Sequence, residues 1–304
     1  MARHNIVFGR DQAVQGGTQY SAPRFGQPAQ AAPAQNTQWS SGFERQGAGA
    51  PVAPGADPLE AAYARPAATG FDTGRMTLKD ALNAITATLG TIIVVGAAVA
   101  LLPLVLGIVG GEAGAQLGLV LAGGATLIGV VGGLVAALVN IFKKQPSPLA
   151  VLAYAVFEGL FLGGISATME YLYPGIALQA VVGTLAVAGT VLVMFRMGIL
   201  RTSPRLNKIF FVAMVAYGLF LVVNLVLALF TGGDLRSGLF GLVIGGLAVV
   251  LASYSLVMDF EDIQHALESG TPRVYAWRVA FGLAVTLVWM YVEILRILAI
   301  LRGD

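Results

Sequence analysis

The 304-residue chain has no cysteine and only two histidines, His4 and His265. That removes disulfides, thiolate nucleophiles and cysteine-held metals together. It also leaves no Ser–His dyad and no histidine zinc set within the apolar part of the sequence. Charge is as scarce: Asp, Glu, Lys and Arg make up 11% of residues against 57% hydrophobic, where a soluble domain carries about 25%. With a mean hydropathy of +0.78, the class that fits is a polytopic membrane protein. The net charge is only +2 and the basic residues are scattered, so nucleic acid is not an expected partner. No lysine follows Lys208, which excludes a retinal Schiff base on a last helix, and no G-x-x-x-x-G-K loop cradles phosphates. Enzyme chemistry is disfavoured and no cofactor is implied.

What is present divides in two. Residues 1 to about 75 are rich in Ala, Gln, Gly, Pro and Ser, as in SAPRFGQPAQAAPAQNTQ and GAGAPVAPGADP. Without apolar periodicity this block cannot bury enough surface to offset its ordering entropy, so it reads as a disordered cytoplasmic tail. It lacks the apolar h-region of a signal peptide and is expected to be retained. Its aromatics, Tyr20, Phe25, Trp39 and Phe43, are where a partner or the membrane surface would dock. Residues 76 to 304 read as the membrane domain.

Thr77 followed by Asp80 has the form of a capping box opening the first helix. Seven apolar runs follow, about 80 to 107, 115 to 142, 148 to 171, 175 to 199, 207 to 230, 237 to 260 and 276 to 301. Each reaches the roughly 20 residues that a helix needs to cross a bilayer. The breaks carry turn chemistry, among them Gly110-Gly111, Pro146-Ser147-Pro148, Ser203-Pro204 and Gly232-Gly233. The expected fold is all-α, a seven-helix bundle with its termini on opposite sides. Loops on one side hold Lys143, Lys144, Arg196, Arg201, Arg205, Lys208, Arg273 and Arg278, and the opposite loops hold only Arg236. Lys and Arg concentrate on the cytoplasmic side, so the N-terminus is expected inside and the C-terminus outside. Small residues such as Gly129, Gly132 and Gly133, and Gly241, Gly245 and Gly246, recur at the spacing that lets membrane helices approach closely.

Against this background three acids stand out, because a carboxylate in hydrocarbon costs roughly 2.5 to 3.5 kcal/mol on insertion scales. Glu158 lies about ten residues into the third span, near the midplane, with Tyr154 at i−4 and with Gly159 and Gly163 leaving room beside it. It is either a protonated side chain bonded to another helix or a proton or cation site. Glu293 lies in the outer part of the seventh span. Arg296 at i+3 is its plain partner, and Asn224 in the fifth span is another candidate at similar depth. Thr286 and Gly282 continue the same face of that helix. Asp259 ends the sixth run at the cytoplasmic lip, with Glu261, Asp262 and Glu268 following, and is a candidate proton sensor. Hard cations favour carboxylate oxygen, so Glu158 and Asp259 are also the candidate metal contacts.

The third span LAYAVFEGLFLGGIS, the basic segment after the fourth, the ending LASYSLVMDFEDI and the closing YVEILRIL together resemble the transmembrane Bax inhibitor motif family, in its bacterial branch. The resemblance covers about residues 78 to 302, with the tail as an extension. It implies a seven-helix bundle whose central last helix is wrapped by two layers of three, and a pH-sensitive calcium leak gated near the cytoplasmic side. In that family an aspartate pair on the sixth and seventh helices senses pH, and a basic residue ending the second acts as a latch. Asp259 matches the sixth-helix aspartate, and Lys143 or Lys144 falls in the latch region. Thr286 stands where the seventh-helix aspartate is expected, so the pair is incomplete. Glu158 matches a position where some members carry Glu, and Glu293 is a compensating acid two turns from Thr286.

The leading expectation is therefore a bacterial inner-membrane cation leak, for Ca²⁺ as permeant ion. A second is a non-transporting scaffold or stress regulator that binds other membrane proteins through its small-residue faces and tail. A third, proton-coupled transport, has no substrate signature.

Overall fold

A computed structural model describes residues 74–303, and the regular structure among them is helical. All but the end of the expected disordered tail lies outside the described residues. The helices are α1 (Leu78–Ala100), α2 (Leu102–Phe142), α3 (Pro148–Leu172), α4 (Ile176–Arg196), α5 (Pro204–Thr231), α6 (Gly238–Glu268) and α7 (Ala276–Gly303), with a 3₁₀ turn at Arg273–Tyr275. Their ends follow local chemistry. Thr77 and Asp80 form the expected capping box on α1. Proline opens α3 and α5, where its missing N–H costs nothing, and left-handed Gly232 (φ 68°) closes α5.

The expected break between the first two spans falls at Gly111, with a further short interruption at Leu101. α1 already ends at Ala100, and one helical run continues to Phe142, broken at Gly111 (φ 60°, ψ −147°). Only glycine adopts that conformation readily, and there the chain doubles back. A Cβ on Gly118 would lie 2.5 Å from Pro103 Cα, and one on Gly114 only 2.0 Å from the Leu106 carbonyl oxygen. In an unbroken helix residues 103 and 118 would stand about 22 Å apart. Six helical stretches are long and apolar enough to cross a membrane, the doubled-back Leu78–Phe142 counting as one of them.

Burial separates the helices by role. On α1 the buried side chains form one stripe, Ala81, Ala84, Thr88, Ile92 and Val99. α7 is buried on several sides at once, from Ala276 through Ala284, Val288, Met290 and Leu295, and packs against α1, α3, α4 and α6. α5 is the opposite case: none of its residues is buried, and it leans mainly on α6. Its apolar surface suits a hydrocarbon solvent. The glycines behave as the small-residue spacing predicts. A Cβ on Gly129 would meet the Phe161 backbone nitrogen at 2.4 Å, and one on Gly163 the Gly96 carbonyl oxygen at 2.5 Å, so α2 packs tightly on α3 and α3 on α1.

The basic loops gather at one end. Met76 N–H donates to the Thr271 carbonyl at 2.8 Å, Arg273 Nε donates to Asp80 at 2.7 Å, and Arg278 Nη2 donates to the Lys143 carbonyl at 2.9 Å. The α4–α5 loop joins them where the Thr202 N–H donates to Glu261 at 2.8 Å. At the other end Glu170 accepts from the Gly175 and Ala177 N–H groups that open α4, and Arg302 donates to the Pro174 carbonyl at 2.8 Å.

Candidate functional site

The seam between α6 and α7 carries the polar chemistry. Gly282, Thr286, Met290 and Glu293 recur at helical spacing on one face of α7, and across it stands Asp259 on α6. The Thr286 hydroxyl donates to Asp259 Oδ2 at 2.6 Å and lies 3.2 Å from the Ser255 hydroxyl. Gly282 leaves space beside the other carboxylate oxygen, since a Cβ there would sit 3.4 Å from Asp259 Oδ1. Thr286 thus reaches Asp259 directly, which its place in the sequence suggests but does not require.

Glu293 lies about 10 Å further along the same face and is 2% exposed. Its partners correct two expectations. Arg296 does not pair with it; Arg236, from the α5–α6 loop, does, with Nη2 at 2.5 Å from Oε1 and 2.6 Å from Oε2. Asn224 is not its partner either, because its Oδ1 accepts from the Leu235 N–H at 2.8 Å. The third member is Tyr217 on α5, whose hydroxyl donates to Glu293 Oε1 at 2.6 Å and accepts from Arg236 Nη2 at 3.0 Å. The rings of Tyr217 and Trp289 pack 5.6 Å apart, which closes the group from the side. Burial works to lower the Arg236 pKa, but the hydrogen bond and charge of Glu293 outweigh it and hold it above its ordinary value.

Residues at i and i+3 are offset by about 60° around the helix and stay within reach of each other, so spacing permits an intrahelical pair, but the α5–α6 loop brings Arg236 onto Glu293 instead. Arg296 Nη1 is buried without a hydrogen-bond partner, as are Arg236 Nε and Trp289 Nε1. Arg236 was visible in the sequence only as the single basic residue among loops otherwise free of them.

Between Asp259 and Glu293 the seam is apolar. Leu256, one turn before Asp259, and Met290, one turn after Thr286, are fully buried in one cluster with Ala252 and Leu283.

Glu158 is elsewhere. It is half-buried on α3, with Oε1 against Gly133 of α2, where a Cβ would come within 3.2 Å. Its helix meets α7 on the side of Phe281, Ala284 and Val288, roughly opposite Gly282 and Thr286. No hydrogen bond among the described residues joins Glu158 to Asp259 or Glu293. Gly159 and Gly163, expected to leave room for Glu158, instead admit Val95 and Val99 of α1. The Lys143 and Lys144 side chains are exposed, and their loop is held through backbone carbonyls by Arg278. No three Asp, Glu, His or Cys side chains cluster as metal donors among the described residues.

Apolar helices around a central last helix, with Asp259 facing it, are joined by a match to the Bax inhibitor 1 like family over residues 11–303. The chain belongs to that family. The match begins well upstream of the region that carries the resemblance in the sequence, so it takes in most of the tail. No curated protein and no solved structure matches the chain. As a Bax inhibitor family member with these helices, it is a multi-pass membrane protein. In this chain Asp259 faces a hydroxyl, and the buried acid on α7, Glu293, is matched by an arginine.

Proposed function

We propose that the protein is a bacterial inner-membrane cation leak of the Bax inhibitor type, with Ca²⁺ as permeant ion and pH sensing at Asp259. The observation that carries this reading is the α6/α7 seam, where Asp259 and Ser255 of α6 and Thr286 and Glu293 of α7 supply oxygen atoms along the contact between the two helices. Hard cations are bound by such oxygens, and conduction needs sites weak enough to release the ion. The fully buried Leu256 and Met290 between them make this a closed state. Glu158, on the far side of α7, is a separate site in this reading, and no catalytic role is assigned to any residue.

The doubling back at Gly111 lets 78–110 and 112–142 each cross the bilayer, which gives seven crossings. The gathering of basic loops at the N-terminal end of α1 supports a cytoplasmic N-terminus and an external C-terminus.

The test is Ca²⁺ entry into dye-filled proteoliposomes as a function of pH. Flux above empty vesicles, reduced by Asp259→Asn, is the expected result. No flux at any pH would remove the leak reading in favour of the non-transporting scaffold, whose partner pull-down should then depend on residues 1 to 75.

A further inference from the structure

The contact between Arg236 and Glu293 has an unusual shape for an arginine pair. Guanidinium and carboxylate commonly meet as two parallel forks, with two nitrogens facing two oxygens. Here a single nitrogen, Nη2, takes everything: Glu293 Oε1 at 2.5 Å, Glu293 Oε2 at 2.6 Å and the Tyr217 hydroxyl at 3.0 Å. Arg236 Nε is left buried and unpartnered. The guanidinium enters end-on, and three oxygens from α5 and α7 converge on one point of positive charge. That is the geometry an oxygen cage offers a compact cation rather than the one a planar fork demands.

The route of entry fits the same idea. Arg236 belongs to no helix. It sits in a short connection held by its own turn, with the Arg236 N–H donating to Asp234 at 2.9 Å and with left-handed glycines on both sides, Gly232 (φ 68°) and Gly238 (φ 57°). Gly241 lets this connection lie close, since a Cβ there would be 2.1 Å from the Arg236 carbonyl oxygen. The covering residue, Tyr217, comes from the helix with no buried residue.

We infer that the oxygens of Glu293 and Tyr217 form an external cation site at the end of the α6/α7 seam, and that Arg236 occupies it as a tethered plug. This rests on the leak reading for its consequence, because a cation entering the seam from outside must displace the guanidinium. With one carboxylate and one hydroxyl, the site completes a divalent cation's shell with water and binds it weakly, as a site on a conduction path should.

The experiment uses Tb³⁺, a hard cation with oxygen preference, added to the full chain in detergent, with emission excited through Trp289, four residues from Glu293. Arg236→Gln should show saturable emission several-fold above the unaltered protein, and Arg236→Gln combined with Glu293→Gln should lose it. Trp289→Phe in the Arg236→Gln background should keep Tb³⁺ binding by equilibrium dialysis while dimming the emission, which locates the ion. A folded Arg236→Gln protein that binds no more Tb³⁺ than the unaltered chain overturns the plug. Should Arg236→Gln fail to fold, Gly238→Ala carries the test. It strains the connection that carries Arg236 at a left-handed position (φ 57°) while leaving Glu293 and Tyr217 in place, and should let added Ca²⁺ raise the melting temperature further than in the unaltered chain; an equal Ca²⁺ response overturns the plug. Proteoliposome Ca²⁺ flux separates the two readings: Tb³⁺ binding in Arg236→Gln without flux in either protein sinks the leak and sustains the site, whereas flux in both with unchanged Tb³⁺ binding sinks the plug alone.

Discussion

The Thr286 hydroxyl on α7 donates to Asp259 Oδ2 on α6 at 2.6 Å, so the position that is neutral where a second acid is expected is nevertheless in contact with the first acid. A donor to a carboxylate stabilises it where a second carboxylate would repel it, which reverses the electrostatic character of the pair.

Removing that donor should be felt in stability. Thr286→Val keeps the shape and is expected to lower stability by about 1 kcal/mol, the usual scale of an interhelical polar contact in a membrane protein. Thr286→Ser should retain most of it. Thermal melts in detergent compare the two, and equal melting points would show that the hydroxyl contributes nothing.

Breaking the Arg236–Glu293 pair from one side leaves a buried charge alone, which costs roughly 3 to 5 kcal/mol. Arg236→Gln and Glu293→Gln should therefore each destabilise the protein by more than their combination does relative to the better single variant. A double-mutant cycle of unfolding free energies gives the coupling, and strict additivity would mean that the two residues do not interact.

Arg296 supplies the contrast. Its Nη1 is buried without a hydrogen-bond partner although the residue as a whole is only half-buried, and removing a buried polar group that lacks a partner relieves its desolvation cost. Arg296→Met is expected to leave the melting temperature unchanged or raise it. A clear fall would show a partner for Arg296 and restore the intrahelical pair with Glu293.

Gly111 and Gly110 form a matched pair, since a Cβ at either would meet nothing within 4 Å and only Gly111 has a positive φ. Gly111→Ala should cost about 1 to 3 kcal/mol from backbone strain alone, and Gly110→Ala should be close to neutral. Comparable melting temperatures for both would argue against the sharp reversal at this point.

Close packing gives the last comparison. A Cβ on Gly163 would lie 2.5 Å from the Gly96 carbonyl oxygen, while one on Gly123 would meet nothing within 4 Å. Gly163→Ala should force α3 from α1, costing about 1 to 3 kcal/mol as overpacking does, and Gly123→Ala should be tolerated. Detergent melts again decide, and equal tolerance would mean that the α1–α3 contact is looser than drawn.

Much of this architecture was legible from sequence because it rests on local rules. Apolar run length set the helices, and Thr77 with Asp80, Pro148, Pro204 and Gly232 set their ends, all through contacts within a few residues. The glycine stripes announced tight packing through spacing alone. Even the division of charge among loops was written in the order of residues, and it appears in space as the basic end where Arg273 and Arg278 tie the loops together. The acids could be located and their depth judged by counting.

Their partners could not be, because a buried carboxylate is neutralised by whatever the fold brings to it. Glu293 had an arginine three residues away and took one 57 residues away instead, because the α5–α6 loop brings Arg236 in. Glu158 and Asp259 stand on different sides of α7, a fact about the packing of helices around a common axis that no spacing along one chain contains. The sequence by itself determined that this protein lives in a bilayer, that its interior holds scarce acids, and where its helices begin and end. Only the tertiary structure decided which acids share a seam and which cation sits on Glu293, because those depend on long-range contacts and on the angle at which each side chain leaves its helix.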